Sequence, residues 1–287
     1  MSFATQIASA RVAPTLTVAG VSSFGTREIT FGRYLMRIAR NDEEIEAALR
    51  LRFEVFNLEL GRGLPFSFRT GLDLDEFDSD SQHVILVERI QRRVIGTYRL
   101  RTYETAKTSQ GFYLSREFDL SALPSEVLTN AIEVERTCIA KAHRNSRAHL
   151  ALLESLTQCL TLYKKRYALG CLQLATQDPL EAGLIFDQAS CKGHLHTEFR
   201  LKPKTGFKCL WYRMPETLRG ASFMPGWLRV SLHFGARLCG PPALNREFRT
   251  IDFPFVLDLE QLKRKRRSLV WPKSVIESTH SLPQTER

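Results

Sequence analysis

At 287 residues, with 43% hydrophobic and 25% charged content, the chain has the composition of a globular protein, which excludes fibrous and unstructured classes. Forty-one Lys and Arg against 31 Asp and Glu give a formal charge of +10, which suits an acidic partner without choosing among an anionic membrane, nucleic acid and an acidic protein. No apolar run reaches the roughly 18 to 20 residues of a spanning helix, and Cys138, Cys159, Cys171, Cys191, Cys209 and Cys239 show no C-x-x-C spacing, so free thiols in a cytoplasmic protein are expected.

Residues 1–30 carry no acid before Glu28 and lack a charged start, apolar block and cleavage site, so they read as a flexible tail. Phe31 to Ala39 predicts a first strand, and Asn41 with Asp42 a helix cap. Ile45, Ala48, Leu49, Phe53, Phe56 and Leu60 then recur at helical spacing, with Arg50 and Arg52 beside the stripe and Gly61 and Gly63 ending it. The loop from Arg62 to Asp80 is long enough to suggest function and concentrates Asp73, Asp75, Glu76, Asp78 and Asp80.

His83 to Glu88 and Arg93 to Arg101 predict an antiparallel hairpin, while Phe112 to Phe118 fits no single pattern. After Pro124 comes a β-forming run, Ile132 to Ala140, and then a helix opened by Asn145 or Ser146, with Leu153, Leu156, Leu160, Tyr163 and Tyr167 facing a core and Gly170 as its stop. Cys171 to Thr176 reads as a strand, Pro179 to Ala189 as a helix, Trp227 to Leu238 as an amphipathic helix and Phe253 to Leu259 as a last strand. Lys263 to Arg267 supplies consecutive cations followed by Trp271, a solvated basic tail or an element for anionic lipid. The order predicts an α/β fold with a mixed, mainly antiparallel sheet flanked by helices.

No G-x-G-x-x-G, P-loop, serine elbow, H-E-x-x-H or paired C-x-x-C occurs. His194 and His196 alternate without a third ligand nearby, so no metal site is expected. The unusual stretch is Ile132 to Ala140, which sets Glu133, Glu135 and Arg136 inside an apolar run. Strand alternation sends Glu133 and Glu135 to one face, and like carboxylates beside a cation shift each other's pKa, as general-base chemistry requires. A structural ion pair of either glutamate with Arg136 is the plain alternative.

Arg52 and Phe56, Asp75 and Asp78, Arg99 in Tyr-Arg-Leu-Arg-Thr, and Glu133 with Arg136 in Glu-Val-Glu-Arg resemble the pattern of the acyl-homoserine-lactone synthases. Over residues 34–262 the chain more closely resembles the ornithine-acyl-ACP N-acyltransferase group, through Phe-Tyr-Leu-Ser-Arg-Glu-Phe-Asp (112–119), Glu-Val-Glu-Arg-Thr-Cys-Ile (133–139) and Gly-Ala-Arg-Leu-Cys-Gly-Pro-Pro-Ala-Leu-Asn-Arg-Glu-Phe (235–248). It departs from that group at Glu135, where Gly is usual, and at Asn245, where Asp is common.

The resemblance implies a GNAT-type acyltransferase domain over residues 31–262, including a C-terminal extension, with a basic tail at 263–287. It implies transfer of a 3-hydroxyacyl group from acyl carrier protein to the α-amino group of ornithine, the first step of ornithine-lipid synthesis. Glycine, another amino acid or S-adenosylmethionine are the alternative acceptors; a basic membrane- or nucleic-acid-binding module with an inactive fold is the non-enzymatic alternative. Glu133 would be the base, with Glu135 its alternative, and Arg136 would hold the strand and moderate the carboxylate. Asp75 and Asp78 would receive the acceptor's cationic part, braced by Arg52 or Arg99, with Phe56 and Glu135 also at the substrate.

Residues 142–147 lack the glycines that cradle a CoA pyrophosphate, so Arg144 or Arg147 would hold the single phosphate of a phosphopantetheine arm. Cys138 as a covalent nucleophile is the rival mechanism. No bound cofactor is expected, the co-substrate being the acyl-phosphopantetheine of acyl carrier protein. The partners are that carrier, ornithine and an anionic membrane surface at the inner face, with nucleic acid not expected.

Overall fold

A computed structural model describes residues 28–210 and 224–268. In chain order it forms β1 (Ile29–Phe31), β2 (Tyr34–Ile38), α1 (Asp42–Phe53), β3 (Gln82–Glu88), β4 (Arg93–Thr102), α2 (Tyr103–Thr108), α3 (Leu114–Glu117), β5 (Phe118–Asp119), α4 (Ser125–Thr129) and β6 (Ala131–Ile139). There follow α5 (Ser146–Leu162), β7 (Tyr167–Leu174), α6 (Pro179–Cys191), β8 (Lys202–Pro203), α7 (Gly226–Phe234), β9 (Arg237–Leu238), β10 (Ala243–Asn245), β11 (Thr250–Asp258) and α8 (Leu259–Ser268).

The main sheet runs β1-β2-β3-β4-β6-β7-β11-β10, with β9 also on β11, and β5 and β8 form a separate ladder. Its neighbours are antiparallel except β6 and β7, which are parallel and joined through α5. Alternation sorts the side chains. Val84 and Leu86 of β3, with Ile132 and Val134 of β6, join the core beneath Ala148, Leu152 and Leu156 of α5, whereas Ile85 and Val87 turn to Ala48 and Leu49 of α1. Each such fully buried aliphatic side chain contributes about 1.5–3 kcal/mol, so both faces of the sheet are held firmly. Asn41 and Asn145 cap α1 and α5 by accepting the N–H groups of Glu44 and Ala148.

The parallel pair does not last. β6 and β7 are in register only from Ala131–Tyr167 to Val134–Gly170, although β6 continues to Ile139 and β7 stays with β11 to Leu174. A crevice opens beyond the last pair. Gly170 permits its closed end, because a Cβ there would lie 2.3 Å from the Val134 carbonyl oxygen and would push the strands apart. On the other edge of β6, Arg136 and Thr137 together oppose Tyr98, a bulge between the pairs Arg99–Glu135 and Thr97–Cys138, with Arg136 at φ 52°. The extra residue breaks alternation, so Glu135 and Arg136, adjacent in sequence, both reach the α1 face.

Several elements differ from the sequence reading. Gly32, at φ 57°, splits the expected first strand into the hairpin β1–β2. After Phe53 the helix loosens into a π-helical turn, Glu54–Glu59, which rotates the apolar stripe: Leu51, Arg52 and Val55 are buried and Leu60 is exposed. Gly170 lies within β7 rather than stopping a helix, and Tyr167 begins that strand. Trp227 to Leu238 divides into α7 and β9, and Leu228 and Leu232 belong to the main core, so the apolar face of α7 is already covered.

Lys263 to Arg267 fall in α8 rather than in a tail, and Lys263 pairs with Glu260. Of the N-terminal stretch read as a tail, Ile29 and Thr30 are in β1; residues 1–27 and Trp271 lie outside the described residues. No helix among the described residues is long and apolar enough to cross a membrane.

Candidate active site

α1, the acidic loop and β4 close a set of charges beside β6. Arg52, fully buried, donates Nε to Asp73 Oδ1 at 2.8 Å and grips Asp78 with both terminal nitrogens, at 2.6 and 3.1 Å. Asp78 also meets Arg99 Nη1 at 2.9 Å and accepts the Asp75 N–H at 2.8 Å. Arg99 clasps Asp75 with both terminal nitrogens and gives Nη2 to Glu135 Oε2 at 2.8 Å. Arg136 donates Nε to Asp73 at 3.1 Å, adds a second bond through Nη2, and stands 4.4 Å over the Phe56 ring and 5.1 Å over that of Phe248.

Burial alone would raise Asp73 and Asp78, but the surrounding guanidiniums outweigh it and hold both carboxyls below the usual range. Burial, helped by Arg52 and Arg99, pushes the neighbouring His83 down to about 4, so its imidazole is neutral.

Two sequence expectations fail on this geometry. Asp78 has its acceptor positions filled and Asp75 is bidentate with Arg99, so neither is open to a substrate's cationic group. Arg136 pairs with neither glutamate; its carboxylate is Asp73, a loop acid that the sequence did not single out.

Glu133 sits at the closed end of the crevice, cross-strand to Arg101 and opposite Leu169. Its carboxylate accepts the N–H groups of Tyr113 at 2.7 Å and Leu114 at 2.6 Å, at the start of α3. Burial and then Glu135 push it up to about 8, against the pull of those two N–H groups and of Arg101. Arg101, rather than Arg136, is therefore the cation that moderates it. Glu135 Oε1 is buried without a hydrogen-bond partner. Cys138 packs on Leu51 and Val55, and burial pushes its thiol up to about 12, which removes the thiolate that a covalent route needs. The Ala140 N–H is spent on the Ile95 carbonyl.

Across the crevice, α3 and β11 bring together a second pair of acids. Carboxylate oxygens of Glu117 and Asp252 and the Cys171 sulfur all lie within 4.8 Å of one another, the grouping among the described residues that could hold a metal ion. Asn245 Nδ2 donates to Glu117 Oε1 at 2.7 Å, and Gln173 Nε2 to Asp252 Oδ2 at 3.0 Å. Burial and Asp252 push Glu117 up to about 9, and burial raises Asp252. Sequence reading missed both. Asp252 interrupts the apolar run from Ile251 to Leu257 as Glu133 interrupts its own, which was a usable signal; Glu117 lay in the stretch that fitted no pattern.

Near the open end, Arg144 is bidentate with Glu59 and gives Nε to the Ile139 carbonyl at 2.9 Å, so a phosphate reaching it would have to displace a surface ion pair. Arg147 is exposed in the first turn of α5. A cleft of about 250 Å³ that reaches Glu59 is also lined by Arg93, Ala140, Lys141 and His143 among others. His196 accepts the N–H groups of Glu198 and Phe199 on Nδ1, a turn contact rather than metal ligation.

Residues 51–154, which run from α1 through β6 into α5, match the family model described as acetyltransferase (GNAT) domain. The chain is a GNAT-fold acyltransferase. Its curated homologues carry the name L-ornithine N(alpha)-acyltransferase. The one from Rhodobacter capsulatus is 28% identical over 82% of this chain and 93% of its own. That from Agrobacterium fabrum is 25% identical over 79% of this chain and 81% of its own. Among solved structures, the acyl-homoserine-lactone synthase LasI superposes with a TM-score of 0.43 at 11% identity, over 79% of this chain and 91% of its own.

Proposed function

We propose that the crevice between β6 and β7 acylates the α-amino group of ornithine, using an acyl group carried on the phosphopantetheine of acyl carrier protein, as the first step of ornithine-lipid synthesis. The observation that carries this reading is Glu133: a buried carboxylate, oriented by two backbone N–H groups, at the point where β7 leaves β6. The names of the curated homologues support ornithine as acceptor. The glycine-free turn at residues 142–147 and the +10 charge favour an acidic carrier protein over a CoA pyrophosphate. The basic run in α8 would suit an anionic membrane that receives the product.

An α-amino group, with a reference pKa of roughly 8, is largely protonated at neutral pH, so a base of matched pKa is needed. Raised to about 8, Glu133 meets that requirement. The neutral fraction of the amine attacks the thioester carbonyl, forming the C–N bond. Ionised Glu133 takes the proton from the nitrogen of the adduct, the C–S bond breaks, and the departing thiolate takes that proton from Glu133. With the Ala140 N–H already used, the edge of β6 freed beyond Val134 supplies the oxyanion donor.

The test is a purified-protein assay that offers ornithine, glycine and S-adenosylmethionine with 3-hydroxyacyl carrier protein or the same acyl group on CoA, with products read by mass spectrometry. N-acylornithine from the carrier thioester, at a kcat/KM well above that with CoA, is expected. Equal use of both donors overturns the carrier assignment, and a different acylated amine overturns the acceptor.

A further inference from the structure

Glu117 and Asp252 take no part in the proton transfer described above, yet buried carboxyls are costly unless something compensates them. Neither is more than 1% exposed. One oxygen of each is held by an amide, from Asn245 and from Gln173. The Phe248 N–H donates to Asn245 Oδ1 at 3.0 Å, which turns the amide nitrogen toward Glu117. The other oxygens, Glu117 Oε2 and Asp252 Oδ1, receive no hydrogen bond from an amide, a guanidinium or the backbone; the two carboxyls touch each other, and the Thr250 hydroxyl lies against Asp252. The neighbours that dominate the two acids' titration are carboxyls, amides and a hydroxyl, with no Lys or Arg among them.

The position relative to Glu133 follows from α3. Tyr113 and Leu114 hold Glu133 at its start, and Glu117 ends it one turn later, a rise of about 5 Å. Helical side chains lean toward the N-terminus, which brings the Glu117 carboxyl back toward Glu133, one of the charges acting on it. The groups that hold the base and Glu117 of the acid pair are thus about one turn apart along α3.

We propose that Glu117 and Asp252, with Thr250 and Asn245 around them, form the subsite for a primary ammonium at the far end of the acceptor, and so select a diamino acid over an amino acid with an uncharged side chain. This rests on the N-acyltransferase reading and adds to it the residues that choose the acceptor. An ammonium carries three donors and no acceptor, and Glu117, Asp252 and Thr250 offer it three oxygens that no amide, guanidinium or backbone group holds.

The experiment measures equilibrium binding and kcat/KM for ornithine and for norvaline, which has the same carbon chain without the side-chain amine. It uses the full chain, Glu117→Gln and Asp252→Asn, first with EDTA and then with added Zn²⁺. The parent should favour ornithine by about 10- to 100-fold, and either variant should lose most of that preference. Thr250→Val, which leaves both acids in place, should reduce it less and serves if an acid variant fails to fold. A parent without preference, or variants that keep it, overturns the subsite. So does stoichiometric Zn²⁺ binding that blocks ornithine and disappears in the acid variants, since the pair would then be a metal site. A parent that binds ornithine over norvaline but acylates neither leaves the subsite standing and overturns the acylation reading instead.

Discussion

On the β4 side of the crevice, Asp73, Asp75 and Asp78 are each clasped by guanidiniums from Arg52, Arg99 or Arg136; on the β11 side, Glu117 and Asp252 face each other with amides and a hydroxyl for company. The residue types are the same and the surroundings are opposite. Where cations are built in, Asp73 and Asp78 are held below the usual carboxylate range, and the cluster acts as a brace that ties α1 and the acidic loop to β4 and the bulge of β6. Where cations are absent, burial raises both carboxyls, Glu117 to about 9. Glu133 stands between the two, with Arg101 on one side and Glu135 on the other, and that intermediate setting suits a base.

Removing a cation from the β4 side should have the largest effect. Arg52→Met leaves Asp73 and Asp78 buried with one fewer guanidinium, and should cost about 3–5 kcal/mol, read as a lower urea midpoint. A midpoint shift of a few tenths of a molar or less would mean that the network is not a brace.

The β11 side should respond to pH with the opposite character. Glu117 is raised from 4.5 to about 9, so its stabilising contribution is complete below pH 4.5 and is lost as pH rises toward 9. The same sign holds for Glu133, raised from 4.5 to about 8. Stability of the parent should therefore carry a component that declines between pH 4.5 and 9, and Glu117→Gln should flatten it in urea titrations across that window. An unchanged slope in the variant would place the titration elsewhere.

The smallest effect belongs outside both groups. Arg144 and Glu59 form a half-exposed surface pair, so Arg144→Gln should change stability by less than about 1 kcal/mol. A larger loss by thermal unfolding would show that the turn after β6 depends on this pair.

Much of this arrangement was legible in the sequence. The hairpin β3–β4, the capped helices α1 and α5 and Glu133 stood out because periodicity and charge inside apolar runs are local signals, whereas Arg52, Asp75, Asp78 and Arg99 were singled out by the family resemblance. Pairing is not local. Which acid meets which arginine depends on strand register, and a single extra residue at Arg136 turned an expected partner of Glu133 into the partner of Asp73. Gly170 read as a helix stop because the close approach of the Val134 carbonyl, its physical cause, comes from another strand. Glu117 and Asp252 meet only through β7 and β11, more than 130 positions apart in the chain, so no spacing rule could join them.

The central claim is that Glu133 removes the proton from the attacking amine. The most direct test is the single-turnover acylation rate of Glu133→Gln against the parent at saturating ornithine and acyl donor, with Glu135→Gln as control. A fall of about 10² or more in Glu133→Gln, with ornithine binding and the unfolding midpoint retained and a smaller loss in Glu135→Gln, is expected. A Glu133→Gln rate within a few fold of the parent would contradict it and move the base to Glu135 or to water.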